Sequence, residues 1–229
     1  MSAPSLPSNV HVSSHPCLRA KLSLLRSKQT QAREVKGLIT EIATIVGVEA
    51  FAKVLTAVDG PGGETPIGFD YTTTTIEPAQ FSLVPILRSG LGMVEAIQTL
   101  LPSPVPVHHL GLYREPSTLE PVEYYNNLPQ HSSSSPSGGV ADLAIILDPV
   151  IATGGTCAAA VQTLREWGVK RIVVLSVICA ADGVRRAAAE WPEGVDIFVA
   201  GVDAELTPDG MLKPGVGDVG DRLFLTIGK

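Results

Sequence analysis

Apolar positions along the chain fall into two rhythms, and the rhythm changes near residue 80. From Cys17 to about Leu55 they recur three or four residues apart. Leu18, Leu22 and Leu25 share one helical face, then Leu38, Ile42, Ile45 and Val46 another. Asp59 to Pro66 (DGPGGETP) has the composition of a turn cluster. Beyond it, short continuous apolar runs alternate with helical patterns. Phe81 to Leu87, Val105 to Leu112, Leu143 to Leu147, Ile172 to Ile178 and Val195 to Ala200 read as strands. Leu91 to Leu101 reads as a helix carrying Met93, Ala96, Ile97 and Leu100. Cys157 to Trp167 is a second helix, with Gly168 where a left-handed C-cap is wanted, and Asp182 to Glu190 a third. Strands that are apolar throughout and separated by helices call for right-handed crossovers and buried sheet faces. The fold class is α/β: a mostly parallel sheet flanked by helices, preceded by N-terminal helices.

Two stretches break the rhythm. Residues 1 to 14 are rich in Ser and Pro and read as a loose N-terminal segment ahead of one domain spanning residues 15 to 229. Tyr113 to Tyr125 reads as an arm or hairpin, and Gln130 to Gly139 (QHSSSSPSGG) as a flexible loop tip, so residues 113 to 139 form a flexible region.

Composition narrows the partners. Charged residues are 17% of the chain and hydrophobic ones 45%, which excludes a disordered chain. The net charge of -6 argues against bulk attraction to nucleic acid or to an anionic membrane. Residues 1 to 36 carry six Lys/Arg and one acid, but these are spaced through apolar residues as solvated helix faces. The three cysteines, Cys17, Cys157 and Cys179, form no CxxC pair and fit a reducing compartment. No apolar run approaches the ~20 residues of a membrane span. The expectation is a cytoplasmic protein with small-molecule substrates.

The strongest chemical signal is Leu143 to Thr156, LAIILDPVIATGGT. A buried strand ends in an acid, and Thr-Gly-Gly-Thr opens a helix. Unpaired N–H groups and the positive dipole end of that helix suit a phosphate, and the two glycines keep side chains out of its way. The lysine of a Walker loop is absent, and so is the Rossmann GxGxxG. Taken alone, TGGT also fits a glycine turn with a threonine cap; the acid at a strand's carboxyl end points to a ligand, because open α/β sheets bind ligands there.

Taken whole, LDPVIATGGT resembles the phosphoribosyl-diphosphate (PRPP) loop of type I phosphoribosyltransferases, and its Asp-Pro is similar to that of the uracil phosphoribosyltransferases. Pro85 to Gly92 (PILRSGLG) resembles that family's PILRAGLG, and Gly111 to Pro121 (GLYREPSTLEP) its arm motif. Pro214 to Asp221 (PGVGDVGD) resembles its PGLGDAGD base loop, and His15 to Arg26 (HPCLRAKLSLLR) its opening.

The resemblance implies conversion of uracil and PRPP to UMP and diphosphate, with magnesium held mainly by PRPP and water. It implies Arg88, Arg114, Asp148 and Asp218 as catalytic residues. PRPP would be bound by Arg88, Arg114 and Asp218 together with the run Asp148, Pro149, Val150, Ile151, Ala152, Thr153, Gly154, Gly155 and Thr156. Uracil would lie against Leu212, Gly217, Asp218 and Val219, the last standing where the family has alanine and adding two methyl groups beside the base. It also implies a homodimer or larger homo-oligomer, and GTP as a candidate activator. Two rival readings differ in base or class: the same fold acting on a purine, and a PRPP-sensing regulator without turnover.

Overall fold

The computed structural model describes residues 5–115, 117, 118, 120–129 and 140–226. Its elements run β1 (Val10–Val12), α1 (Pro16–Arg26), α2 (Ala32–Val54), β2 (Thr56–Glu64), β3 (Asp70–Glu77), β4 (Phe81–Leu87) and α3 (Leu91–Gln98). They continue with β5 (Leu110–Arg114), β6 (Pro121–Asn126), β7 (Leu143–Leu147), β8 (Val150–Ile151), α4 (Gly155–Trp167) and β9 (Arg171–Ala180). The last are α5 (Ala181–Ala189), β10 (Val195–Asp203), β11 (Glu205–Leu206), β12 (Leu212–Lys213) and α6 (Val219–Phe224).

The central sheet has the order β1-β10-β9-β7-β4-β5-β6, with the short β8 also paired to β9. Among the described residues its pairings are parallel except β5 with β6, the hairpin expected from the arm sequence. Along β7 the side chains alternate between two cores. Leu143, Ile145 and Leu147 join α1, α2 and α3 on one face, while Ala144 and Ile146 join α4 and α5 on the other. Covering both faces explains why these strands read as unbroken apolar runs. Gly168 takes the expected left-handed C-cap, at φ 98°.

This arrangement fixes where a ligand can sit. β4 and β7 are neighbours, yet α3 leaves β4 toward one sheet edge and α4 leaves β7 toward the other, on opposite faces. Their carboxyl ends therefore diverge into a crevice, the topological switch point of an open α/β sheet.

Two readings of the sequence are corrected. The segment expected to be loose contains β1, which adds a parallel edge strand to β10. Asn9 donates to the Ala188 and Val195 carbonyls, and His11 lies 2.8 Å from Asp196 with its ring tilted against that of Phe198. Three strand residues between Ser/Pro flanks have no periodicity to read; their partners are supplied from the far end of the chain. The supposed turn cluster at 59–66 belongs mostly to β2, which pairs antiparallel with β3 through a bulge between Asp59 and Gly62. Both strands are largely exposed, so no apolar alternation marks them, and the reversal falls at residues 65–69, with Gly68 at φ 83°. The serine-rich stretch 130–139 lies outside the described residues.

Candidate functional site

A cleft of about 320 Å³ opens at the switch point. From the β4 side come Leu87, Arg88 and Ser89; from the β7 side Asp148 and residues 150–154 with Thr156; across them lie Met211, Leu212 and residues 217–220. Tyr113 and Tyr124 of the arm stand at its border with ring centroids 6.1 Å apart. The expected residues Arg88, Asp148, Val150, Ile151, Ala152, Thr153, Gly154, Thr156, Leu212, Gly217, Asp218 and Val219 thus share one cavity. Pro149 and Gly155 lie in the same loop without lining it. Arg114 closes β5, its backbone paired with Pro121.

The loop between β7 and α4 is shaped by glycine. Gly154 is the N-cap of α4 with φ 79°, a left-handed conformation that costs glycine little. A β-carbon there would stand 2.1 Å from the Gly183 carbonyl oxygen, and one on Gly183 would stand 1.9 Å from that of Ala152. Loop and α5 therefore touch backbone to backbone. Among the described residues no side chain caps α4, so its first amides remain available at the positive end of the helix dipole. Thr153 adds a buried hydroxyl oxygen that has no hydrogen-bond partner among the described residues. An orphaned donor beside uncapped amides is chemistry suited to an anion.

Asp148 is only 6% exposed, and its carboxylate accepts a 3.4 Å hydrogen bond from the Val150 amide. Burial, and then the Asp148 charge, push the Cys157 thiol far above the ordinary range, so Cys157 borders the cleft as a protonated, non-nucleophilic group. Arg88 is half-exposed at the turn after β4, where the Leu87–Arg88 peptide is cis. Its guanidinium donates to the Thr226 hydroxyl at 3.2 Å and lies 3.5 Å from the Asp221 carboxylate. Asp218 caps α6 by accepting from the Asp221 amide at 2.9 Å, which ties the 217–220 loop to the start of that helix. Val219 is 3% exposed and packs into the core with Leu212 and Val216, so its extra methyls go largely into that core.

Several groups escaped the sequence reading. Arg26 of α1 forms a bidentate pair with Asp203 at 2.6 and 3.0 Å and also donates to the Gly215 carbonyl at 2.8 Å. Arg222 donates to the carbonyls of Leu25, Val216 and Ser27. Asp221 stood inside the PGVGDVGD motif and Arg222 just after it, but nothing local showed what they hold. Arg26 looked like one more basic residue on an amphipathic helix.

The fold has counterparts among solved structures. The chain superimposes on the adenine phosphoribosyl transferase from Trypanosoma brucei, solved with AMP, pyrophosphate and ribose-5-phosphate, at a TM-score of 0.51. Identity is 15%, covering 88% of this chain and 87% of that one, a likeness of fold. A much closer match, TM-score 0.84 at 29% identity over 95% and 98% of the two chains, is the AQ2163 protein from Aquifex aeolicus. In sequence, the family described as uracil phosphoribosyltransferase matches residues 12–226. The uracil phosphoribosyltransferase of Finegoldia magna is 42% identical over 219 residues, covering 96% of this chain and 99% of that protein. The Clostridioides difficile enzyme is 40% identical with the same coverage. The chain belongs to the uracil phosphoribosyltransferase family. Among the described residues no helix is long and apolar enough to cross a membrane.

Proposed function

We propose that this chain transfers the 5-phosphoribosyl group of PRPP to uracil, giving UMP and diphosphate. The reading rests on one observation: the Arg88 turn, the Asp148–Thr156 loop and the 217–220 loop line a single cleft at the switch point. The amides at the start of α4 and the Thr153 hydroxyl take the 5-phosphate. Asp148 accepts hydrogen bonds from the ribose hydroxyls. Gly217, Asp218 and Val219 receive the base beside Leu212.

The anomeric carbon becomes cation-like as diphosphate leaves, so the site's task is charge stabilisation and positioning. Arg88 and Arg114 match diphosphate oxygens with planar, permanently charged donors. Arg114 sits on the arm, whose closure excludes water and protects PRPP from hydrolysis. Among the described residues no three His, Cys, Asp or Glu cluster as a metal site. Magnesium binds through substrate phosphates, waters and one or two carboxylates, of which Asp218, lining the cleft, would supply one. When bound, it neutralises leaving-group charge. GTP activation, a homodimer or larger assembly and a cytoplasmic setting belong to the same proposal, and carry over from the family resemblance.

The test is UMP formation from uracil, PRPP and magnesium, beside cytosine, hypoxanthine and adenine, with and without GTP. Turnover with uracil alone supports the reading. PRPP binding without turnover of any base, GTP present, would favour a regulator instead. Sedimentation of the purified chain measures the assembly.

A further inference from the structure

The loop proposed to receive uracil does not hold its own shape; it hangs from the far end of α1. Gly215 donates its amide to the Asp203 carboxylate at 2.8 Å, and its carbonyl accepts from Arg26 at 2.8 Å. Arg26 and Asp203 are in turn joined by two hydrogen bonds, so three groups from α1, β10 and the loop close a ring. One residue on, the Val216 carbonyl accepts from Arg222 at 2.6 Å, and the same guanidinium reaches the Leu25 and Ser27 carbonyls that flank Arg26. Asp203 is 4% exposed, which shields the ring from water and from alternative partners. A β-carbon at Gly215 would stand 2.3 Å from the Leu212 carbonyl oxygen, so no slack remains on the loop's other side.

This bonding also sorts the loop's polar groups. Gly215 and Val216 spend their carbonyls on arginines. Gly217, left-handed at φ 74° and lining the cleft, keeps its amide and carbonyl unengaged among the described residues. A base edge offering both donors and acceptors needs such a donor and acceptor held at fixed separation.

We infer that the Arg26–Asp203 pair, with Arg222, is the positioning element for the base: it touches no substrate but sets where the Gly217 amide and carbonyl face the cleft. This deepens the uracil reading and rests on it. The bidentate fork is the operative feature, because a lysine at 26 keeps the charge but cannot hold Asp203 and Gly215 together in one plane.

The experiment is steady-state kinetics on Asp203→Asn and Arg26→Lys, with Lys21→Ala, which breaks an exposed pair between α1 and α2, as the control. Asp203→Asn removes the charge and leaves one acceptor oxygen where the Gly215 amide and both Arg26 nitrogens now share two, so the ring cannot close. The expected result in both ring variants is a rise in KM for uracil of about tenfold, the size of one lost charge-assisted hydrogen bond. KM for PRPP stays within about twofold, and the Lys21 variant matches the parent. A melting transition recorded on each variant separates folding from positioning; if Asp203→Asn does not fold, Arg26→Lys alone decides. Michaelis constants for both substrates moving together, or neither moving, overturns the positioning role. Lack of uracil turnover in the parent protein is a different failure, that of the base assignment itself.

Discussion

Gly90 sits against the last residue of β7: a β-carbon on it would stand 2.2 Å from the Leu147 carbonyl oxygen and 2.7 Å from the Ile86 amide nitrogen. The turn that carries Arg88 is therefore pressed onto the strand end that carries Asp148. Gly90→Ala forces the two apart. The expected cost is about 1–3 kcal/mol of stability, as for overpacking, and a melting temperature lower by about 2–4 °C for each kcal/mol in a chain of this size. KM for PRPP should rise with it. An unchanged melting temperature would mean that the turn relaxes without displacing β7.

Asp148→Asn preserves shape and removes charge. Losing hydrogen bonds to a charged group costs ~1.5–3 kcal/mol, or roughly 10- to 150-fold in kcat/KM for PRPP. Kinetics identical to the parent would remove Asp148 from the ribose site.

Thr153→Val separates the ligand-free state from the bound one. The hydroxyl oxygen is buried without a partner among the described residues, so exchanging it for a methyl should leave the unliganded protein as stable or slightly more so. PRPP affinity, measured by calorimetry, should fall by about 2- to 13-fold for one hydrogen bond of ~0.5–1.5 kcal/mol. Equal affinity in the two proteins would show that the hydroxyl makes no bond to the phosphate.

Arg114→Ala tests arm closure. On the proposed closure the arm acts during the reaction, so kcat should fall more than KM for PRPP rises. An effect on KM alone counts against closure.

The cysteines set an alkaline limit. Burial, reinforced by the Asp203 charge, pushes the Cys179 thiol up to about 12, and Cys157 shifts the same way through burial and Asp148. In the unfolded chain a thiol titrates near ~8.5. Folded-state values above the unfolded one mean that this stability is whole below pH ~8.5 and is lost as pH rises toward the folded values. Alkylation at pH 8 should modify the exposed Cys17 alone, and all three residues in denaturant. Fast labelling of Cys157 in the folded protein would contradict its burial.

The side of the cleft built by the loop after β7 was legible in the sequence because it is local. LAIILDPVIATGGT contains strand, acid, glycine turn and helix start within fourteen residues, and each has its own signature. PILRSGLG does the same around Arg88. What stayed hidden is joined across the chain. β1 is a strand only because β10 lies beside it, and the β2–β3 hairpin has no buried face to impose a period. Arg26 and Asp203 are 177 positions apart, so their partnership is a property of the packed molecule that no window of sequence contains.

That separation also orders the molecule in time. As synthesis proceeds, the strands and turns that shelve Arg88 and Asp148 can assemble once β4, β7 and β9 have emerged. Arg26 precedes these strands in the chain and must wait for Asp203, Gly215 and Arg222, which follow them. A growing chain therefore completes the elements that carry Arg88 and Asp148 before it can close the ring that holds Gly215, so the two sides of the cleft are set at different moments of synthesis.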